Sequence, residues 1–186
     1  MTDKNDIDES RVWCALHHLE CKYWYDVDFN GGRSAHEFYQ HDGLYTVGQN
    51  RFEGRDGIKM FYDWRRRRGE VTTRHFITNT FVITPGERRA KMVGSMTIYR
   101  SRGSPPLGKT DGPILIADFT SDCVRGDDDV WRYASHIVNP VFVDSDAPFS
   151  LSVDPGFLAA GRISASANSH SAAPTGAAEP ASPANP

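Results

Sequence analysis

Within TTRHFITNTFV, residues 72–82, a histidine stands in the middle of a β-branched run, with Asn79 four residues on. Imidazole has an ordinary pKa close to neutrality, so His75 has the chemistry to take and return a proton at physiological pH. A carboxylate on one ring nitrogen fixes the tautomer and raises the basicity of the other. Two acids, Asp26 and Asp28, close the first long periodic stretch of the chain and are available for that role. A strand histidine on its own is more often a residue that completes a structural hydrogen bond. The elements that position it therefore decide the reading.

From Val71 the apolar pattern is two-fold, as in a strand. Thr84-Pro85-Gly86-Glu87 has Pro and Gly at the centre of a type II turn, joining residues 72–83 to residues 89–100 as an antiparallel pair. With a two-residue loop and no bulge, His75 faces Met96, Ile77 faces Gly94 and Asn79 faces Met92. The same face carries Thr73, Phe81, Ala90 and Ile98 and is mostly apolar, so His75 and Asn79 are expected to point into an enclosed side. An imidazole there needs a hydrogen-bond partner.

Ahead of these strands lie three expected helices. In DESRVWCALHHLECKYWYDVD, Val12, Leu16, Leu19 and Tyr23 recur at helical spacing, with Trp13 and Trp24 widening the stripe and Asp8 or Ser10 as cap. Asn30-Gly31-Gly32 ends it. Ser34 reads as the N-cap of a short second helix, AHEFYQHD, followed by the strand LYTVG. GRDGIKMFYDWRRRRG reads as the third, closed by Gly69. Two more strands, residues 114–125 and 130–139, flank the polar turn Gly126-Asp127-Asp128-Asp129. Three helices and then a meander make an α+β domain, with the helices on one face of a curved, mostly antiparallel sheet.

The folded unit is expected over residues 7–155, after a disordered N-terminus of residues 1–6. Residues 156–186, rich in Ala, Ser and Pro, are expected to be a disordered tail. The net charge of −3 argues against a general nucleic-acid binder. The start lacks the features of a signal peptide, and no apolar run spans a bilayer, so a soluble, cytoplasmic protein without membrane contact is expected. Cys14, Cys21 and Cys123 form no metal or redox motif and read as reduced thiols. No histidine spacing suits a metal, Asp127–Asp129 lacks the pattern of a calcium loop, and neither a phosphate loop nor a nucleophile elbow is present. The arginine run Arg65–Arg68 sits where a helix dipole favours cations.

Several segments resemble SnoaL-like proteins of the nuclear-transport-factor-like superfamily: YDVDFNGGRSAHEFYQHDGLYTVG, RFEGRDGIKMFYDW, RHFITNT and VRGDDDVWRYASHIV, over about residues 7–143. RHFITNT is similar to the histidine strand of scytalone dehydratase and of hexachlorocyclohexane dehydrochlorinase. The resemblance implies a cone-shaped α+β barrel and a catalytic dyad of a helix-1 aspartate with His75. Family spacing selects Asp28, and the local Tyr25-Asp26 pair keeps Asp26 as the alternative. It further implies Tyr25 or Tyr45 as a group polarising a substrate oxygen, with Asn79 lining the pocket; Trp24, within one turn of Asp28, and Met96, on the inward face of the second strand, are expected to line it by position. The expected activity is a cofactor-free lyase or isomerase, of dehydratase or cyclase type, on a small, largely apolar aromatic, polyketide-like or steroid-like molecule. Two other readings carry weight: the non-catalytic small subunit of an aromatic-ring-hydroxylating oxygenase, and a ligand-binding module. The exposed sheet face favours a homo-oligomer or a larger oxygenase subunit as partner.

Overall fold

The computed structural model describes residues 8–108, 112–144 and 163–165. Helix α1 spans Glu9–Phe29, and Asp8 caps it by accepting from the backbone N–H groups of Ser10 and Arg11. Its apolar stripe (Val12, Leu16, Leu19, Tyr23, Val27) is buried as the helical spacing requires. A single 3-10 turn, Ala35–Phe38, follows. Strands β1 (Tyr39–Val47) and β2 (Asn50–Glu53) lead into helix α2 (Gly54–Arg67). Then come β3 (Val71–Thr84), β4 (Arg89–Arg102), β5 (Leu115–Arg125) and β6 (Trp131–Val143), and a short β7 (Ile163–Ala165).

The strand order is β3-β4-β5-β6-β1-β2-β7. Only β1 and β6 run parallel, with Tyr45 beside His136; the other pairs are antiparallel. The fold is therefore α+β with a mixed sheet. The sheet does not close into a barrel, because β3 is left as an edge. Helix α1 lies against that edge.

Three expectations need correction. The segment AHEFYQHD gives one 3-10 turn rather than a helix, because Tyr39 already pairs with Tyr133 on β6 and is fully buried. Among the described residues there are thus two α-helices, not three. The β3–β4 register also differs: His75 stands opposite Ile98, not Met96. The loop holds four residues, Pro85–Arg88, and a bulge follows Thr78, where Asn79 adopts φ 52°. Up to Thr78 the inward parity holds. Beyond the bulge it inverts, so Val82 is buried while Asn79 and Phe81 are exposed. Finally, Ile163–Ala165 lies in the expected disordered tail yet pairs with Asn50–Phe52. Backbone groups on an open edge accept a short strand whatever its composition. The rest of that tail and residues 1–6 lie outside the described residues.

The concave side is filled by aromatic rings. Tyr23, Tyr39, Tyr62, Tyr133, Phe52, Phe61 and Phe119 are fully buried. Three of the tyrosine hydroxyls serve one another: Tyr23 and Tyr62 share a hydrogen bond of 2.5 Å, and Tyr39 donates to Tyr23 at 3.1 Å. No helix among the described residues is long and apolar enough to cross a membrane.

Candidate functional site

Asp28 occupies the last turn of α1, where the helix dipole disfavours a carboxylate. Three donors offset that cost. The His75 ring gives 2.6 Å between its Nδ1 and Asp28 Oδ1, the His75 backbone N–H donates to Oδ2 at 2.8 Å, and Thr73 Oγ1 donates to Oδ1 at 2.8 Å. Because β3 is an edge strand, its N–H at His75 has no strand partner on that side, and Asp28 supplies the acceptor. The two side chains are only 4% and 5% exposed. Trp24, one turn before Asp28, stacks on the imidazole with centroids 4.1 Å apart and planes 19° apart.

The electrostatics favour one protonation state. Burial depresses the His75 pKa below its usual value, the Asp28 hydrogen bond and charge offset this only in part, and Arg65 and Arg100 depress it further. Burial alone would raise the Asp28 carboxyl, but the His75 and Thr73 hydrogen bonds outweigh it and hold it below its ordinary value. At neutral pH the pair is a carboxylate accepting from a neutral imidazole protonated on Nδ1. The Nε2 lone pair is then free, and Nε2 makes no hydrogen bond among the described residues.

Two spaces meet at His75. An inner cavity of about 20 Å³ is lined by Trp24, Tyr45, Thr73, His75, Met96 and Arg100, among others. It has room for about one water. An outer cleft of about 350 Å³ runs between α1 and β3, lined by Trp24, Asp28 and His75 with Tyr25, Phe29 and Phe76. Asp28 borders only the cleft. His75 borders both spaces, with its Nδ1 turned toward Asp28.

The expected site residues separate accordingly. Trp24, Tyr45, His75 and Met96 line the inner cavity, Asp28 joins them only through its contact with His75, and Tyr45 keeps its proton because burial pushes its pKa up to about 12. Asp26 does not reach His75. It accepts from Asn30 Nδ2 at 2.7 Å and from the Ser34 N–H at 3.0 Å, bracing the turn after α1. Tyr25 is 65% exposed and stacks on Phe29, so it walls the outer cleft rather than the cavity. Asn79 does not line the cavity either, since the bulge turns it outward.

Sequence reasoning missed a buried polar group behind the dyad. Glu20 is fully buried, accepts from Trp24 Nε1 at 3.1 Å and from Ser121 Oγ at 2.7 Å, and burial raises its pKa to about 7. It anchors the indole that stacks on His75. His136 Nε2 lies 3.9 Å from Glu20, and both His136 nitrogens lack partners among the described residues. Burial lowers the His136 pKa to about 3, so that ring is neutral. Glu20 follows Leu16 at i, i+4, and this helical spacing was the one available signal that an acid would be drawn inward. Among the described residues, no group of three or more His, Cys, Asp or Glu side chains is placed to hold a metal.

Comparison with known proteins agrees with this architecture. A family model for the SnoaL-like domain matches residues 14–136. No curated protein matches the chain. Among solved structures, a Novosphingobium aromaticivorans protein provisionally named a scytalone dehydratase superposes with TM-score 0.62 at 17% identity, covering 74% of this chain and 89% of that one. ActVI-ORFA from Streptomyces coelicolor gives TM-score 0.59 at 13% identity, covering 70% and 98%. A second Novosphingobium aromaticivorans protein, provisionally named an aromatic ring hydroxylase, gives 0.59 at 16%, covering 72% and 91%. At these identities the likeness is one of fold.

Proposed function

The chain belongs to the SnoaL-like domain family, and from that premise we propose that it is a redox-neutral lyase or isomerase in which His75 is general base and acid and Asp28 holds its tautomer. The observation that carries this reading is the 2.6 Å contact between His75 Nδ1 and Asp28, which leaves Nε2 as a lone-pair donor on a ring that lines the inner cavity. In the proposed step, Nε2 takes a proton from a carbon next to a carbonyl or opposite a leaving hydroxyl. The imidazolium that forms is stabilised by the Asp28 carboxylate and returns the proton to the departing or rearranging oxygen. Tyr45, protonated and on the cavity wall, donates a hydrogen bond to the substrate oxygen. Proton transfer of this kind requires no electron carrier, and the reaction is proposed to be cofactor-free. The named structural neighbours and the apolar walls point to a small, cyclic, largely apolar substrate.

A second reading rests on a specific observation. The cavity is small, and Asp28 satisfies an edge-strand N–H, so the same contacts would serve a non-catalytic subunit in which Asp28 clamps α1 to β3. Solvent-deuterium exchange separates the two. A panel of cyclic ketones and hydroxylated aromatic ketones is incubated with wild type, H75Q and D28N in deuterium oxide and read by mass spectrometry. The enzyme reading expects label incorporated by wild type, none by H75Q and at least 100-fold less by D28N. Absence of exchange with wild type across the panel favours the clamp.

A further inference from the structure

Helix α1 ties down the open edge of β3 at two places. Asp28 accepts from the His75 N–H at 2.8 Å, and Trp13 Nε1 donates to the Thr80 carbonyl at 3.2 Å. The outer cleft of about 350 Å³ runs along β3 from Arg74 to Thr78, short of the second tie. In an antiparallel pair, alternate residues turn both backbone groups away from the partner strand. Three contacts give the parity here. The His75 N–H goes to Asp28 and not to β4, and the Thr73 carbonyl accepts from the Arg74 guanidinium at 2.6 Å. The Thr78 carbonyl oxygen lies toward β4, 3.1 Å from where a Cβ on Gly94 would stand. Residues 73, 75 and 77 are therefore the outward set. The His75 carbonyl and the Ile77 N–H open on the cleft, and among the described residues no side chain takes up either. His75 is half-buried while its side chain is only 4% exposed, so the exposed part of this residue is backbone. The walls are rings. Tyr25 and Phe29 stand on the α1 side with centroids 4.8 Å apart, and Phe76 on the β3 side; all three are more than half exposed.

We infer that the outer cleft is a binding site for a flat bicyclic ring that carries a carbonyl oxygen next to an N–H or O–H group. The ring carbonyl accepts from the Ile77 N–H, the adjacent group donates to the His75 carbonyl, and the ring faces pack on Tyr25 and Phe76. On an extended edge, a carbonyl and the N–H two residues further on point the same way, so a flat rim with acceptor beside donor meets both at once. A plain hydrocarbon would strip both backbone groups of water without replacing it. The volume suits such a molecule, whereas the inner cavity of about 20 Å³ does not. An extended peptide does not fit the same edge. The bulge after Thr78 and the Trp13 tie at Thr80 interrupt the ladder that an added strand would need. The site is built from the β3 backbone and not from an imidazole nitrogen, so it stands whether or not His75 moves a proton. Its occupant lies against Asp28 and His75, which line the same cleft.

The test uses the nitrogen-15-labelled full chain and two ligand pairs, titrated by amide NMR. Isoquinolin-1-one and its N-methyl derivative read the N–H form of the ligand; 3-hydroxychromone and 3-methoxychromone read the O–H form. The expected result is that at least one parent compound binds about 5-fold or more tighter than its methylated analogue, the worth of one hydrogen bond. Its binding moves the Ile77 amide proton downfield. It also protects Cys21, which lines the cleft, from N-ethylmaleimide, while exposed Cys14 on the same helix stays reactive. Y25S and F76S each weaken binding about 5-fold or more, C21W fills the cleft and abolishes it, and F142S, at an exposed ring outside the cleft, leaves it unchanged. Thermal melting identifies the variants that are folded. No binding by either parent compound, equal binding of parent and methylated analogue, or full affinity in folded C21W would overturn the inference. None of these outcomes bears on the lyase reading, which stands or falls on deuterium exchange by wild type and H75Q.

Discussion

Asp28 on α1 and His75 on β3 are 47 residues apart in the chain and 2.6 Å apart in the fold. Their contact joins the end of a helix to the edge of a sheet, and it takes up the helix-terminal carboxylate, the unpaired strand N–H and the imidazole tautomer in one arrangement. Replacing Asp28 by Asn keeps the shape but turns an N–H₂ group toward one of the three donors. D28N is therefore expected to cost about 1–3 kcal/mol of stability, since a buried donor is left without an acceptor. Urea unfolding of wild type and D28N at pH 7 measures it, and unchanged stability would mean that the clamp contributes nothing.

The His75 pKa is depressed in the fold, so the base is in its working, neutral form at pH 6.5 and above. Exchange activity should fall only as pH drops through a value below 6.5. In D28N, with the supporting charge gone, that acid limb should move lower still while the maximum rate falls. A limb above pH 7 would contradict the electrostatics described for the site.

Glu20 and His136 make opposite contributions to stability. The His136 pKa is lowered from 6.5 to about 3, so its contribution is present above pH 6.5 and is lost as pH falls toward 3. The Glu20 pKa is raised from 4.5 to about 7, so its contribution is present below pH 4.5 and is lost as pH rises through 7. E20Q removes only the second. The stability of E20Q relative to wild type should therefore rise from pH 5 to pH 8 by about 2–3 kcal/mol, at roughly 1.4 kcal/mol per pKa unit. Urea unfolding at the two pH values reads this, and a pH-independent difference would show that Glu20 titrates normally.

Asn79 holds φ 52° on the exposed side of the bulge. N79G should change stability by only a few tenths of a kcal/mol and leave catalysis untouched, because glycine adopts that region freely. N79V should cost about 1–2 kcal/mol, since a β-branched residue there is strained. Loss of activity in N79G would restore Asn79 to the pocket.

Gly94 lies on the inward face of β4, where an added Cβ would meet Phe119 Cζ at 2.6 Å and the Thr78 carbonyl oxygen at 3.1 Å. G94A should destabilise by about 1–3 kcal/mol through overpacking, read as a lowered melting temperature. An unchanged value would mean that Phe119 moves aside without cost.

Much of this arrangement was legible in the residues. The stripe of α1, the pattern of α2 and the β4–β6 meander each follow from local periodicity, and the inward parity of His75 follows from its strand. What escaped reading depends on contacts distant in sequence. The bulge at Asn79 has no signature short of its left-handed backbone, yet it decides which face carries Phe81. Tyr39 reads as part of a helix until its pairing with Tyr133 is known. Glu20 is one acid on a polar-looking helix, and its burial comes from Ser121, about a hundred residues away. The choice between Asp26 and Asp28 required the family spacing, because both lie near the end of the same helix.

The central claim is that His75 is a neutral imidazole, protonated on Nδ1, with Nε2 unprotonated and open to the cavity. Nitrogen-15 NMR of the histidine rings in full-length protein at pH 7, with H75Q used to assign the signal, tests it without any substrate. The account predicts that the His75 resonances have the pattern of the Nδ1–H tautomer, and that D28N disturbs it. An Nε2–H tautomer, or a doubly protonated ring at pH 7, would contradict it.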